Sequence, residues 1–346
     1  MNRRVALSLT LAFGILGATL IPALGASALS AISVTTTVPA VLSNRLPLLR
    51  LHFTTPTRAA KLPALHISPA LAVKWQQIGV RDVQAVAVGR LTPTLAYTIS
   101  APTKMTCAKS CTFTAVRPYV GTVAANPTWE AQLLAELNYL PVDFTPNVPQ
   151  SDATISAPGT FYWKYVNLPT ALRAQWQVGV DNPILHGALM NFQNVNQLPT
   201  TGAADATTWA ALLSAVDNNK VDPGSYNYVV VAESSTETTT LYVAGRMKFR
   251  TLANTGISVT PTATGTFPVY LRYLTQTMSG TNPDGSHYSD PGIQWVSYFN
   301  GGDALHGFIR SYYGSPQSLG CVEMTYAAAK VIWPFTPIGT LVTVGA

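Results

Sequence analysis

Apolar and polar residues alternate in short runs from about Ser33 to Tyr119, as in LRLHF, AVKWQQI, VQAVAVG and AYTISA, with Pro, Gly and Thr breaks between them. A period of two turns one face of each strand inward, so this stretch predicts an N-terminal β-sandwich over 29–122. From about Pro127 to Val216 the period lengthens to that of a helix. TWEAQLLAELNYL starts at a Thr128 cap, NPILHGALMNFQNVNQL at Asp181 or Asn182 with Pro183 in its first turn, and DATTWAALLSAV after a Thr-Gly turn. A small helical domain over 123–222 follows from these three. From Tyr226 onward the strands return in YNYVVVAE, TTTLYVAG, RMKFRTLAN, TFPVYLRYLTQTM, IQWVSYF and a closing TLVTV, with one late helix in TYAAAKVIWPF. The predicted fold class is multidomain and mainly β with a small α domain, ending in a mostly antiparallel β-fold over 223–346. Function is expected on the loops at one end of that last sheet.

The first residues break this pattern. Arg3 and Arg4 precede an uncharged apolar run from Val5 to about Pro22, and Ala26, Ser27 and Ala28 offer an A-x-A cleavage site. This is the layout of a secretory signal over 1–28. The uncharged stretch from Val5 to Ile32 is also long enough to be an uncleaved anchor with the arginines left inside. Both readings send the remaining chain out of the cytoplasm.

Composition narrows the partners. Only 10% of the 346 residues are charged while 47% are hydrophobic, which excludes a disordered chain. The net charge of +6 falls to +4 once Arg3 and Arg4 are set aside, and no Lys/Arg run suited to phosphates occurs, so nucleic acid is not an expected partner. Export implies an oxidising setting, where three cysteines are an odd count. Cys107 and Cys111, in CAKSC, are near enough to close a disulfide loop and lack two further ligands for zinc. Cys321 is left over as an unpaired thiol.

That residue sits in the one stretch dense in chemistry. ALHGFIRSYYGSPQSLGCVEM places His306 fifteen residues before Cys321, with Gly320 directly before the cysteine and Ser318 two before Gly320. A thiol is mostly protonated at neutral pH, so a cysteine nucleophile needs an imidazole within reach and gains from the positive end of a following helix. His306 and the helix opened by Thr325 would supply these. Backbone N–H groups of Leu319, Gly320 and Cys321 are candidate donors to the oxyanion of an attacked carbonyl. A buried cysteine and a strand-end histidine are each common as packing alone. Together with the export signal and the turn-helix context they point to catalysis.

The same stretch resembles the active-site signature of L,D-transpeptidases of the YkuD type: HG, a loop of about a dozen residues, then S-x-G-C-V/I-x-M/L. NTGISVTPTATGTFPVY resembles the family's STG…TPTGTF segment, and PIGTLVTV its closing strand. The resemblance spans roughly 226–346. It implies Cys321 as acyl-accepting thiolate, His306 as general base, the Gly307 carbonyl orienting the imidazole, and Ser318 bracing the loop. The implied reaction cleaves a peptidoglycan stem peptide before its terminal D-Ala, leaves a thioester, and passes the acyl group to an amine, giving a 3-3 cross-link, or to water, giving an L,D-carboxypeptidase. No metal or organic cofactor is needed.

Upstream, HGALMNFQNVNQLPTTGAADATTWAALL resembles the peptidoglycan-binding three-helix module, and the phrase HISPALAVKW resembles bacterial immunoglobulin-like modules. The implied partners are peptidoglycan stem peptides and glycan, with membrane contact limited to the possible anchor, and the implied location is secreted and associated with the cell wall. Tyr270, Tyr298, Tyr312 and Tyr313 are candidate lining for a stem-peptide groove. Glu323 joins the candidate substrate contacts at a position where many family members carry Asn or Arg. An ionised carboxylate there would repel a substrate carboxylate and disfavour the thiolate. On that ground a wall-binding structural protein with a degenerate catalytic domain stands as the alternative.

Overall fold

The structure is a computed structural model, and it describes residues 34–37, 47–54, 56, 58, 62, 64–100, 119–147 and 158–345. The leader at 1–28 and the Cys107–Cys111 pair lie outside the described residues. The chain divides into two compact units, Met1–Ala125 and Asn126–Ala346.

In the first unit, β1 (Val34–Thr37), β2 (Leu49–Phe53), β4 (Val73–Gln77) and β5 (Asp82–Ala87) form one sheet in the order β1-β2-β5-β4. A second sheet runs β3-β6-β7, from β3 (His66–Ser68), β6 (Ala96–Ser100) and β7 (Tyr119–Thr122). LRLHF alternates in burial as it does in hydrophobicity: Leu49, Leu51 and Phe53 are buried, Arg50 and His52 exposed. Those three meet Val83, Ile67, Tyr97 and Ile99 in one core between the two sheets.

The second unit opens with helices. α1 (Pro127–Glu136) is capped by Asn126, whose Oδ1 accepts from the N–H groups of Thr128 and Trp129 at 2.9 and 3.4 Å. The cap is therefore two residues earlier than the expected Thr128, because Pro127 occupies the first helical position, where its missing N–H costs nothing. A hairpin of β8 (Val142–Pro146) and β9 (Gly159–Trp163) and the short α2 (Thr170–Arg173) lead to α3 (Pro183–Val195) and α4 (Ala206–Asp217), capped by Asn182 and Asp205. Trp129, Leu133, Phe192, Trp209 and Leu212 form the core, with the two indoles 4.9 Å apart. Full burial of a side chain such as Phe192 stabilises by about 2–3 kcal/mol.

Two sheets follow. The first has the order β12-β11-β10-β18-β13, from β10 (Asn227–Ala232), β11 (Thr238–Val243), β12 (Arg246–Leu252), β13 (Gly265–Pro268) and β18 (Leu341–Gly345). The second has the order β14-β15-β16-β17, from β14 (Leu271–Thr281), β15 (His287–Asn300), β16 (Asp303–Gly307) and β17 (Val322–Met324). Val229, Val231, Val342 and Val344 from the first pack on Phe299, Leu305, Val322 and Met324 from the second, together with Ala328, Ala329 and Ile332 of α5 (Tyr326–Ile332). The sheets are mostly antiparallel, with two parallel pairs, β10 with β18 and β16 with β17.

The helical and C-terminal parts do not separate at 222/223, for they share one core: Tyr228 of β10 and Leu341 of β18 are buried among the helical residues. Gly187 of α3 permits this contact. A Cβ there would lie 2.5 Å from the Gly339 carbonyl oxygen, inside the distance any side chain tolerates.

Candidate active site

The parallel pairing of β16 and β17 builds the site. Parallel neighbours cannot be joined by a tight turn and need a crossover of a dozen residues or more. The 308–321 segment is that crossover, which is why His306 and Cys321 are fifteen residues apart in sequence. Leu305 pairs with Val322 and His306 with Glu323, so one step earlier Cys321 lies beside Ala304, two residues from His306. Alternation puts Ala304, His306 and Cys321 on the same face of the sheet. Cys321 packs there against the cluster of Ile293, Val296 and Ala304.

Cys321 is half-buried and unbridged. Its Sγ donates to the Gly302 carbonyl at 3.5 Å. Burial pushes the thiol up to about 12; the Ala304 backbone N–H opposes that rise, and the carboxylates of Asp303 and Glu323 add to it. His306 is buried, and its Nδ1 is 3.0 Å from the Gly307 carbonyl oxygen. A carbonyl only accepts, so Nδ1 carries the proton and Nε2 presents its lone pair. Burial holds the imidazole below the usual histidine range, with the Gly307 carbonyl and Glu323 pulling the other way. Among the described residues, no hydrogen bond joins Sγ to the ring. The pair rests as neutral thiol and neutral imidazole.

The loop that carries Cys321 is laced to the strand-like segment after β12. Asn254 and Glu323 exchange backbone hydrogen bonds of 2.9 Å in both directions, and Thr255 accepts from the N–H groups of Gln317 and Ser318 at 2.9 and 3.0 Å. Thr255 is in turn held by Glu237, whose carboxylate accepts from its N–H at 2.7 Å and its hydroxyl at 2.8 Å. Ser318 bridges the loop itself: Oγ donates to the Cys321 carbonyl at 2.5 Å and accepts from Gly320 N–H at 3.1 Å. That last bond corrects the oxyanion assignment, since the Gly320 N–H is already engaged. Leu319 and Cys321 remain as candidate donors. Gly320 has φ +121°, and a Cβ there would sit 2.5 Å from Asp303 Oδ1.

Two further expectations change. The helix opened by Thr325 does not point at Cys321, because the three residues of β17 intervene, roughly 10 Å of strand, and helix-end fields fade within a turn. Glu323 is no substrate contact: it is buried, and both carboxylate oxygens accept from Arg310, Nε and a terminal nitrogen each at 2.7 Å. Arg310 also donates to the Gln317 carbonyl at 3.2 Å, and Tyr313 braces the turn by donating to the Phe308 carbonyl at 2.6 Å. Sequence reasoning missed Arg310, although a lone arginine within the crossover, thirteen residues before an awkward glutamate, was the available signal.

The tyrosines divide. Tyr298 packs against the same cluster as Cys321; burial raises its phenol, the Gln276 amide opposes this, and Cys321 adds to it. Tyr288, which nothing in the sequence singled out, is raised by burial and then by Cys321. Tyr270 packs on Tyr298 with centroids 6.2 Å apart and donates to the Gly301 carbonyl. Tyr312 is exposed, and its carbonyl, not its ring, is held by Asn254 and Gln317. Among the described residues, no three His, Cys, Asp or Glu side chains are grouped as a metal ion would need.

Residues 227–344 match the YkuD family, the L,D-transpeptidase catalytic domain. This part of the chain is a YkuD domain. Its limits run from the first residue of β10 to within β18. Solved structures similar to the chain include an L,D-transpeptidase from Mycobacterium smegmatis, at 11% identity over 91% of this chain and 99% of that one, with a TM-score of 0.32. The catalytic domain of the E. faecium L,D-transpeptidase is 26% identical over 34% of this chain and 95% of its own, with a TM-score of 0.31. L,D-transpeptidase 3 from Mycobacterium tuberculosis, solved with a faropenem-derived adduct, is 13% identical over 91% and 98%, with a TM-score of 0.32. No curated protein matches the chain. The YkuD domain thus carries the transpeptidase assignment, while the residue roles rest on the geometry above.

Proposed function

We propose that the protein is an exported cysteine L,D-transpeptidase that forms 3-3 cross-links between peptidoglycan stem peptides. The observation that carries this reading is a half-buried, unbridged Cys321 beside a strand whose His306 has Nδ1 committed to the Gly307 carbonyl and Nε2 left as base. In the first step the Sγ proton passes to Nε2 and the sulfur attacks the carbonyl before the terminal D-Ala. The N–H groups of Leu319 and Cys321 receive the oxyanion. Collapse breaks the C–N bond, the departing amine takes the proton from Nε2, and a thioester remains. An amine of a second stem then attacks and gives its proton to Nε2; the C–S bond breaks, and Nε2 returns that proton to the departing sulfur, which restores the neutral thiol and imidazole. Water in place of that amine gives the L,D-carboxypeptidase outcome.

The high resting pKa fits this order. The neutral pair becomes an ion pair when a substrate carbonyl arrives to take the developing charge. The pairing of Glu323 with Arg310 weakens the alternative of a degenerate domain, because the carboxylate is held by a guanidinium and adds least among the causes that raise the thiol. The apolar leader and its cleavage motif support a secreted, wall-associated location. Imipenem added to the full chain tests the reading by intact mass. One adduct on the wild type and none on Cys321→Ala is the expected result; no adduct on the wild type would overturn it. Products from a tetrapeptide stem then separate cross-linking from hydrolysis.

A further inference from the structure

Glu237, the residue before β11, is a buried acid that the chemistry above leaves without a task. It is 2% exposed, and among the described residues no Lys or Arg pairs with it. A carboxylate shut away from water without a cation is costly unless its oxygens are satisfied in another way. One neighbour does this. Thr255 donates its N–H to Oε2 at 2.7 Å and its hydroxyl to Oε1 at 2.8 Å. Filling the same space needs no charged group, since apolar residues of similar volume often serve as well or better. The two-pronged hold on Thr255 is what the carboxylate adds.

The use of that hold lies further along. The Thr255 carbonyl accepts from the N–H groups of Gln317 and Ser318 at 2.9 and 3.0 Å. The Glu237 backbone grips the same crossover nearer its middle: its N–H donates to the Gly314 carbonyl at 3.0 Å, and its carbonyl accepts at 3.1 Å from Ala253, whose own carbonyl accepts from Gly314 N–H at 3.0 Å. Residues 314–318 are thus fixed at both ends through one residue. Ser318 passes the constraint on, through its bonds to the Cys321 carbonyl and the Gly320 N–H. Leu319 and Cys321, whose N–H groups are the candidate oxyanion donors, follow directly on this anchored stretch.

We propose that Glu237 is a positioning residue for acyl transfer: through Thr255 it sets where the Leu319 and Cys321 N–H groups stand relative to the sulfur. The proposal rests on the thioester reading above. Two reactions of Cys321 in the full chain test it. Acylation by imipenem builds charge on a carbonyl oxygen and needs those donors. Alkylation by iodoacetamide displaces iodide at a saturated carbon and does not. Glu237→Ala removes both contacts with Thr255, and Thr255→Val removes one at almost unchanged shape. Each should lower the ratio of acylation rate to alkylation rate about tenfold or more. Glu237→Gln should restore most of that loss, because its amide oxygen accepts from the Thr255 N–H while its NH2 group donates to the hydroxyl. A fold that is merely weakened changes both rates together and leaves their ratio alone. An unchanged ratio in Glu237→Ala and Thr255→Val, or a loss in Glu237→Gln as large as in Glu237→Ala, would overturn the proposal while an acylated wild type upheld the thioester reading. No adduct on the wild type would overturn both.

Discussion

Arg310 closes on Glu323 through two hydrogen bonds of 2.7 Å, and so turns a buried negative charge into a brace between the crossover and the strand that follows Cys321. Glu323 is 4% exposed, so its charge has little water to fall back on. Removing the arginine leaves that carboxylate uncompensated. Arg310→Ala should cost roughly 2–4 kcal/mol, read by urea denaturation at neutral pH, and should slow imipenem acylation. Glu323→Gln should cost less, because an amide oxygen still accepts from the guanidinium. Equal stabilities for Arg310→Ala and wild type would show the brace to be idle.

Gly320 meets two constraints at once. Its φ of +121° is a region that L side chains rarely adopt, and the adjacent Asp303 leaves no room for a methyl group. Gly320→Ala should lose about 1–3 kcal/mol and most of the acylation rate, since the loop carrying Cys321 must move. A variant that acylates at the wild-type rate would refute this.

The shifted thiol makes stability depend on pH. The folded chain keeps the Cys321 proton up to about 12, whereas an unfolded thiol loses it near 9.0. The contribution is therefore full below 9.0 and is lost as pH rises through the folded value, at no more than about 1.4 kcal/mol per unit. Cys321→Ser should flatten that alkaline limb. His306 acts on the acid side: its folded value lies below 6.5, so its contribution is full above 6.5 and is lost as pH falls from there. Unfolding free energies across pH for the wild type, Cys321→Ser and His306→Gln check both limbs.

Asp303 sits between the sulfur and the start of β13. One carboxylate oxygen accepts from Ala263 N–H at 3.0 Å, and its charge helps to hold the thiol protonated. Asp303→Asn keeps an acceptor for Ala263 and removes the charge. The pH midpoint for alkylation of Cys321 by iodoacetamide should fall. An unmoved midpoint would mean that burial alone sets the thiol.

Much of the fold was legible because it follows local pattern. LRLHF alternates in hydrophobicity and alternates in burial, and the Asn182-Pro183 opening of α3 is a cap whose hydrogen bond depends on neighbours in sequence. His306, Gly307, Ser318 and Cys321 were singled out by residue type and by resemblance to a family signature, whereas the parallel pairing of β16 with β17 that brings the two halves together was not expected from a mostly antiparallel pattern. Arg310 and Tyr288 were not legible. Their importance depends on which residue of a distant strand faces them, and no periodicity encodes that.

The amino-acid sequence by itself determined the strands, the helices and the chemical identity of a thiol and an imidazole in series. Tertiary structure alone decided the protonation state and the use of each group. Charge responds to distance and to the exclusion of water. Only the folded chain encloses the sulfur, sets Asp303 near it, and pairs Glu323 with Arg310.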